Sequence, residues 1–499
     1  MGSSGKAGQF PLAGIARGVL LVMAAAGGSA CSDDAAGTGA RAPRPKNVLL
    51  LVGDTLRANR LSCYGYPRPT SPNIDRLASR GTLYRCNYSQ ACWTLPSMVS
   101  MMTGVSIVDE IKVLPPDAPV LGEFLREAGF ETAGFVANGV LGQASGFGRG
   151  YDVFVDANGV DAVTLAGHFT RWHESREARS DTEGEAAPFF AWVQFIDPHH
   201  PYEPDAAHDV FHEPRLDEDR IADHLRTAYE EAAAKSPGRP IPSLEDSIRK
   251  ASRDSNLYDG EVLAVDDGIG RILAKLERSG ELANTLVIVC ADHGEMLYEH
   301  RQQPLIVDTI VEKEGGLPDG VLDLFGRGHR PWYYDDLWNT PLILAGPGMP
   351  SGVVEDDLTS NLDIGATILG ALDLPLRPGM EGRSLWGGRD PGRERVFAYG
   401  HQTNAVVEAS RMKLVLSPRR FYHVPEDEPA PAILLDLAAD PREDVDLAEA
   451  LPAERDRLLG EIQGWRARTP KLRPPEVNVE QRERLKKLGY VEGNESPPR

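Results

Sequence analysis

Cysteine, positive charge and long apolar runs are all scarce in this sequence, and each shortage removes a class of protein. Five cysteines in 499 residues are too few for the disulfide scaffold on which small secreted domains rely. Besides Cys31 there are Cys63, Cys86, Cys92 and Cys290, enough for one or two bridges of undetermined connectivity. With 53 basic against 74 acidic residues, the formal net charge of -21 repels a phosphate backbone, so nucleic acid is not expected as a partner. A local cationic pocket can still hold a small anion. The apolar run at residues 18–26 is too short to cross a bilayer as a helix, so a polytopic membrane protein is not expected either.

What is present is the composition of a folded, soluble-type chain, 25% charged and 41% hydrophobic, long enough to bury a large core. Lys6 and Arg17 precede the short apolar run, which is the pattern of a secretory signal. The run ends Gly-Gly-Ser-Ala-Cys, placing Cys31 after two small residues as in a bacterial lipoprotein signal, although Gly28 departs from the usual aliphatic residue. The alternative is ordinary cleavage near Ala30. Residues 1–31 are thus read as a signal peptide and residues 32–46, small, polar and Pro-containing, as a flexible tether. The expected location is outside the cytoplasm, periplasmic or at the cell surface, with a lipid on Cys31 as the one link to a membrane.

Residues 47–52, NVLLLV, stop at Gly53-Asp54-Thr55, and residues 285–291, TLVIVCA, stop at Asp292-His293-Gly294. Continuous apolar runs of this kind read as buried parallel strands, and ligands in open α/β sheets sit beyond the carboxyl ends of such strands. Further strands are expected at residues 132–137 and 189–196, with helices at 120–127 and 262–276 between them. This alternation predicts an α/β fold with a large doubly wound, mixed or mostly parallel sheet over residues 47–385. A smaller C-terminal α+β domain is expected over 386–499, after a Pro- and Gly-rich stretch. The charge-rich residues 205–255 read as solvated surface helices.

The ordered blocks from Asn47 to about Ala450 resemble the sulfatases of the alkaline phosphatase superfamily. They include the two strand ends above, residues 92–104 (CWTLPSMVSMMTG), TAGFVANG, FIDPHHPY and WYYDDLWNTPLILAGPG. The resemblance implies a metal-dependent ester hydrolase. Its nucleophile lies in a Cys-x-Pro-Ser-Arg segment followed by Thr-Gly, where the cysteine becomes formylglycine. Here Pro96, Ser97, Thr103 and Gly104 fix the register and put Thr94 at that position, two residues past Cys92, while Met98 replaces the arginine. No formylglycine is therefore expected. A Thr before Leu-Pro-Ser is also a good helix N-cap, and helix N-termini favour anions and alkoxides.

The same resemblance assigns Asp54, Asp292 and His293 as metal ligands, with Thr94 as a fourth; Thr55 stands where relatives have a second aspartate and would bind weakly at best. Carboxylates with one imidazole admit a single divalent ion, Ca²⁺, Mn²⁺, Mg²⁺ or Zn²⁺. His199 and His329 match positions that touch the substrate anion or protonate the leaving oxygen, and Asn138 stands where a substrate-binding lysine is common. Arg57 and Arg330 are candidates to supply the missing positive charge; His200 and His300 read as surface histidines. The expected partner is a small or polymeric anionic ester, and the expected reaction is hydrolysis of a sulfate or phosphate ester through Thr94. The alternatives are transfer of a phosphoryl-containing head group and a decayed sulfatase fold that only binds.

Overall fold

Burial on both faces of the central strands organises the fold. The computed structural model describes residues 43–471 apart from 110, 112, 185, 216, 330, 331, 389–391, 401, 426 and 429. The expected signal, the lipid-bearing cysteine, most of the tether and Arg330 lie outside the described residues.

All seven residues of the first strand, β1 (Asn47–Gly53), are buried. Along it the side chains alternate. Val48, Leu50 and Val52 enter one apolar cluster and Leu49 and Leu51 the opposite one, as the two-residue repeat of a strand requires. The strands that follow in the chain are β2 (Thr82–Tyr88), β3 (Glu131–Val136), β4 (Val153–Asp156), β5 (Phe189–Phe195) and β6 (Thr285–Ala291). A hairpin of β7 (Met296–Arg301) and β8 (Phe325–Gly328) comes next, then β9 (Leu342–Ala345) and β10 (Val353–Ser360).

Eight of these strands form one sheet in the order β10-β2-β9-β6-β1-β5-β3-β4, with β9 antiparallel to both neighbours and every other pair parallel. One face is covered by helices Thr94–Thr103, Leu121–Glu127 and Leu362–Ala371, the other by Pro72–Ala78, Ala162–Glu183 and the 35-residue Leu244–Arg278. The result is the doubly wound, mostly parallel architecture expected from the sequence. The anticipated strands fall within one residue of those observed, whereas the anticipated helix at 262–276 is only the end of a much longer one. The charged helix Glu218–Lys235 is amphipathic. Its Ile221, Leu225, Ala228 and Ala232 meet Val307, Leu322 and Phe325 in a small separate core.

The chain then forms a second, antiparallel sheet of β11 (Arg395–Gly400), β12 (Thr403–Glu408), β13 (Met412–Leu416) and β14 (Ala432–Asp436). One face, through Val406, Leu414 and Leu434, packs on Leu458 and Ile462 of helix Pro452–Arg468. The other, through Val396, Ala405, Val407 and Val415, packs on Tyr88, Trp332, Tyr333 and Trp338 of the large-sheet region. An ionic contact crosses this apolar interface. The fully buried Lys413 ammonium lies 2.8 Å from Asp335 and also pairs with Glu443. Removing one partner of a buried ion group strands the others in a low-dielectric setting. Lys413→Ala is accordingly expected to lower the unfolding free energy by about 3–5 kcal/mol in urea denaturation, whereas Lys413→Arg should lose less.

Candidate active site

Four adjacent strands deliver the chemistry from their carboxyl ends. In register, Gly53 pairs with both Phe195 and Ala291, and Val136 with Gln194. The residues that follow, Asp54, Asp292-His293, Asn138 and the turn to His199, therefore emerge side by side at the edge where ligands bind in such sheets. Helix Thr94–Thr103 is tied into the same edge, since Ser97 Oγ donates to the Asp292 carbonyl at 2.6 Å.

The turn after β1 is held in a costly shape. Thr55 has φ of +58°, a left-handed conformation that a β-branched residue rarely adopts. Three hydrogen bonds hold it there. The Thr55 amide donates to Asp292 Oδ1 at 3.2 Å, the Tyr258 hydroxyl donates to the Thr55 carbonyl at 2.7 Å, and the Arg57 amide donates to the Tyr258 oxygen at 3.0 Å.

Asp54, Asp292 and His293 are fully buried, and one ligand atom from each lies within 4.8 Å of the others. The His293 Nδ1 faces the Gly294 carbonyl at 2.9 Å, an acceptor only, so Nδ1 carries the proton and Nε2 presents a lone pair. That nitrogen lies 3.8 Å from Asp54 Oδ1, 3.5 Å from Asp292 Oδ2 and 3.3 Å from Thr94 Oγ1. Among the described residues Asp54 Oδ1 and Asp292 Oδ2 have no hydrogen-bond partner, and neither does Thr55 Oγ1. Buried polar atoms are otherwise almost always paired, so this converging set of orphan donors fits a divalent cation.

The electrostatics carry the same message. Burial pushes the Asp54 carboxyl up to about 6, against the pull of His199 and the Asn138 amide. Burial and the neighbouring Asp54 raise Asp292 well above the usual carboxylate range, while burial and His329 hold His293 well below that of a free imidazole.

Thr94 is the first residue of its helix, with Trp93 at the N-cap and no side-chain capping bond. This corrects the expectation of a Thr94 N-cap by one residue and leaves its hydroxyl free of capping duty. Cys92 is buried with Tyr88, Met296 and Tyr333 in the cluster under the second sheet, and burial pushes its thiol up to about 12. Met98, at the arginine position, is sealed in the core. The Asn138 amide donates to Asp54 Oδ2, and its carbonyl oxygen accepts from the Val140 amide at 2.9 Å, so this side chain holds the Asp54 carboxylate in place.

His199 and His329 meet over the site. Their ring centroids are 4.8 Å apart, and His329 is 4.7 Å from His293. His200 instead meets Tyr202 edge-on, and His300 stacks on Tyr334 at 3.6 Å between centroids. Far from being a surface residue, His300 is buried. Arg57 does not supply the missing charge: its guanidinium is taken up by Glu299 at 2.9 Å and by Asp336. The sequence reading missed Glu295, fully buried with Oε1 3.4 Å from His329 Nδ1. Its signal was its place two residues after His293.

Elemental analysis of the purified protein is expected to give one divalent ion per chain, and Asp292→Asn to bring it near zero. The metal-free protein carries a further signature. Asp54 takes its proton near pH 6 when folded and at 3.8 when unstructured, so ionising it in the fold costs stability. Chelated protein should gain stability as pH falls through about 6, and Asp54→Asn should melt above chelated wild type at about pH 8, with the gap closing on acidification. Thermal denaturation in chelator reads both.

The family model described as Sulfatase matches residues 46–374, more than half of the chain. Iduronate 2-sulfatase of Mus musculus is 25% identical over 426 residues, covering 69% of this chain and 72% of that protein. The arylsulfatase of Clostridium perfringens is 24% identical over 488 residues, covering 84% and 94%. Among solved structures, the phosphonate monoester hydrolase of Agrobacterium radiobacter superposes with a TM-score of 0.62 at 20% identity, covering 86% of this chain and 96% of that one, a likeness of fold. The match runs through the strands that carry Asp54, Asn138, His199, Asp292 and His293, and the chain belongs to the sulfatase family of ester hydrolases.

Proposed function

We propose that the protein hydrolyses a sulfate or phosphate ester outside the cytoplasm with Thr94 as nucleophile. The observation that carries this reading is the Thr94 hydroxyl itself, fully buried, spent on no cap, and 3.3 Å from His293 Nε2 beside two unpartnered carboxylate oxygens. Asp54, Asp292, His293 and Thr94 would hold one divalent ion, which supplies stabilisation of negative charge on oxygen when bound.

The rest of the chemistry belongs to the chain. At the start of helix Thr94–Thr103 the first amides have no partner within the helix, and the helix dipole favours an alkoxide or an incoming anion. Thr94 Oγ, its hydroxyl proton first given up to solvent, attacks phosphorus or sulfur in line as the alkoxide, the bond to the alcohol breaks, and the departing oxygen takes a proton from protonated His199 or His329. The histidine left neutral then accepts a proton from the water that displaces Thr94 Oγ from the central atom, and Thr94 leaves as the alkoxide in which it began.

A formylglycine ester can collapse by releasing its anion and restoring an aldehyde, a route that threonine lacks. The Thr94 ester must be opened by a second displacement, which phosphoryl chemistry permits readily, so a phosphate ester is favoured over a sulfate ester. Likeness to a phosphonate monoester hydrolase fits that preference. Against a site that only binds, the orphan oxygens of Asp54 and Asp292 are expensive to keep buried and have no structural task.

The test is a panel of aryl sulfate, phosphate monoester and phosphodiester substrates on metal-loaded protein. Thr94→Ala is expected to lose on the order of 10³-fold or more in kcat on the best substrate, and Thr94→Ser to retain activity. Mass analysis of quenched wild type should find the phosphoryl or sulfuryl group on the peptide containing Thr94. Unchanged turnover of every ester by Thr94→Ala would sink the covalent mechanism.

A further inference from the structure

The three imidazoles at the site obey one rule. His293 turns Nδ1 to the Gly294 carbonyl at 2.9 Å, His199 turns Nδ1 to the His200 carbonyl at 2.5 Å, and His329 turns Nδ1 to Glu295 Oε1 at 3.4 Å. Each acceptor draws the proton onto Nδ1 and fixes which edge of the ring faces away. For His293 and His199 the acceptor is backbone. For His329 alone it is a side chain.

Glu295 is an unusual residue to find in that role, because it is fully buried and its second oxygen, Oε2, has no hydrogen-bond partner among the described residues. Its main chain is pinned from both sides, by the Glu295 amide donating to the Asp336 carbonyl at 3.1 Å and by Arg57 Nη1 donating to the Glu295 carbonyl at 2.9 Å. Arg57 comes this close and yet gives its side-chain ion pairs to Glu299 and Asp336. Among the described residues, His329 is the one ion-pair partner within 4 Å of the Glu295 carboxylate. A buried carboxylate without a strong cation is costly, and folding does not need this one, since its backbone bonds already fix the loop. A bond of 3.4 Å is also typical of a catalytic contact that tightens only when substrate arrives.

We propose that Glu295 is a positioning residue: by accepting from Nδ1 it holds the His329 ring with Nε2 toward the atoms where the ester breaks. Without it the ring, flanked at 4.8 Å and 4.7 Å by His199 and His293, has no acceptor to distinguish its two edges. The inference rests on the reading that His329 serves the departing oxygen, and it assigns to that histidine a support that His199 draws from the main chain.

Two measurements on metal-loaded Glu295→Gln and Glu295→Leu test it, one independent of turnover. Crystal structures should find the His329 ring rotated or split between orientations in Glu295→Leu, and near its wild-type position in Glu295→Gln, which retains an acceptor. Kinetically, Glu295→Leu is expected to lose about 10–100-fold in kcat on an alkyl ester, with at least tenfold less loss on a nitrophenyl ester, whose oxygen departs without a proton; Glu295→Gln should lie between. KM should move little, and neither variant should melt below wild type. An unmoved His329 ring in Glu295→Leu overturns the proposal, as does equal loss on both esters accompanied by a lower melting temperature. His329→Ala separates the two levels. If that variant shows no leaving-group dependence, the proton-donor reading fails, while ring orientation in Glu295→Leu still decides what Glu295 does.

Discussion

Two carboxylates, Asp54 and Asp292, lie side by side in the interior, and among the described residues no lysine or arginine pairs with either. Much of the surrounding structure is organised around this repulsion. Adjacent parallel strands force the two residues together, because β1 and β6 end in register. The Asn138 amide, the amides of Thr55 and His293, and the strained turn at Thr55 then fix the oxygen atoms that remain unpaired. None of these contacts removes the charge. They orient it, as the cation site proposed here would require.

The central strands were legible because a strand buried on both faces is an uninterrupted apolar run, and residues 47–52 and 285–291 are such runs. Their terminal Asp54, Asp292 and His293 stood out for the same reason, being abrupt polar ends. Strand β10 was not legible, since its Val353 to Asp357 segment alternates between partial and full exposure and carries three acidic residues; nor was β9, which is four residues long. The side-chain partners were harder still. Arg57 and Glu295 are charged residues on loops near the site, and nothing in their order along the chain says that one is spent on Glu299 and Asp336 while the other faces His329. Such choices are made by residues 34 to 279 positions away and become visible only when the sheet is assembled.

The second sheet belongs to the same logic. Its inner face covers Trp332, Tyr333 and Trp338, in the segment shortly after His329, so the stretch that follows the proposed proton donor rests on residues after position 395. Lys413, paired with Asp335 across that contact and with Glu443 beside it, helps fix the sheet's docking. The stretch from Thr94 to Met98 is anchored differently, through Ser97 to the Asp292 carbonyl, which ties the proposed nucleophile to the backbone of a proposed ligand.

The burial of Asp54, Asp292 and His293 also says what sets their spacing. They stand at the ends of β1 and β6, inner strands of an eight-stranded sheet whose opening is tied to loss of the central hydrogen-bond ladder and not to the swing of a surface loop. The distances among the three side chains are therefore held by the most stable part of the fold, so that an ion bound as proposed would meet a constellation already assembled.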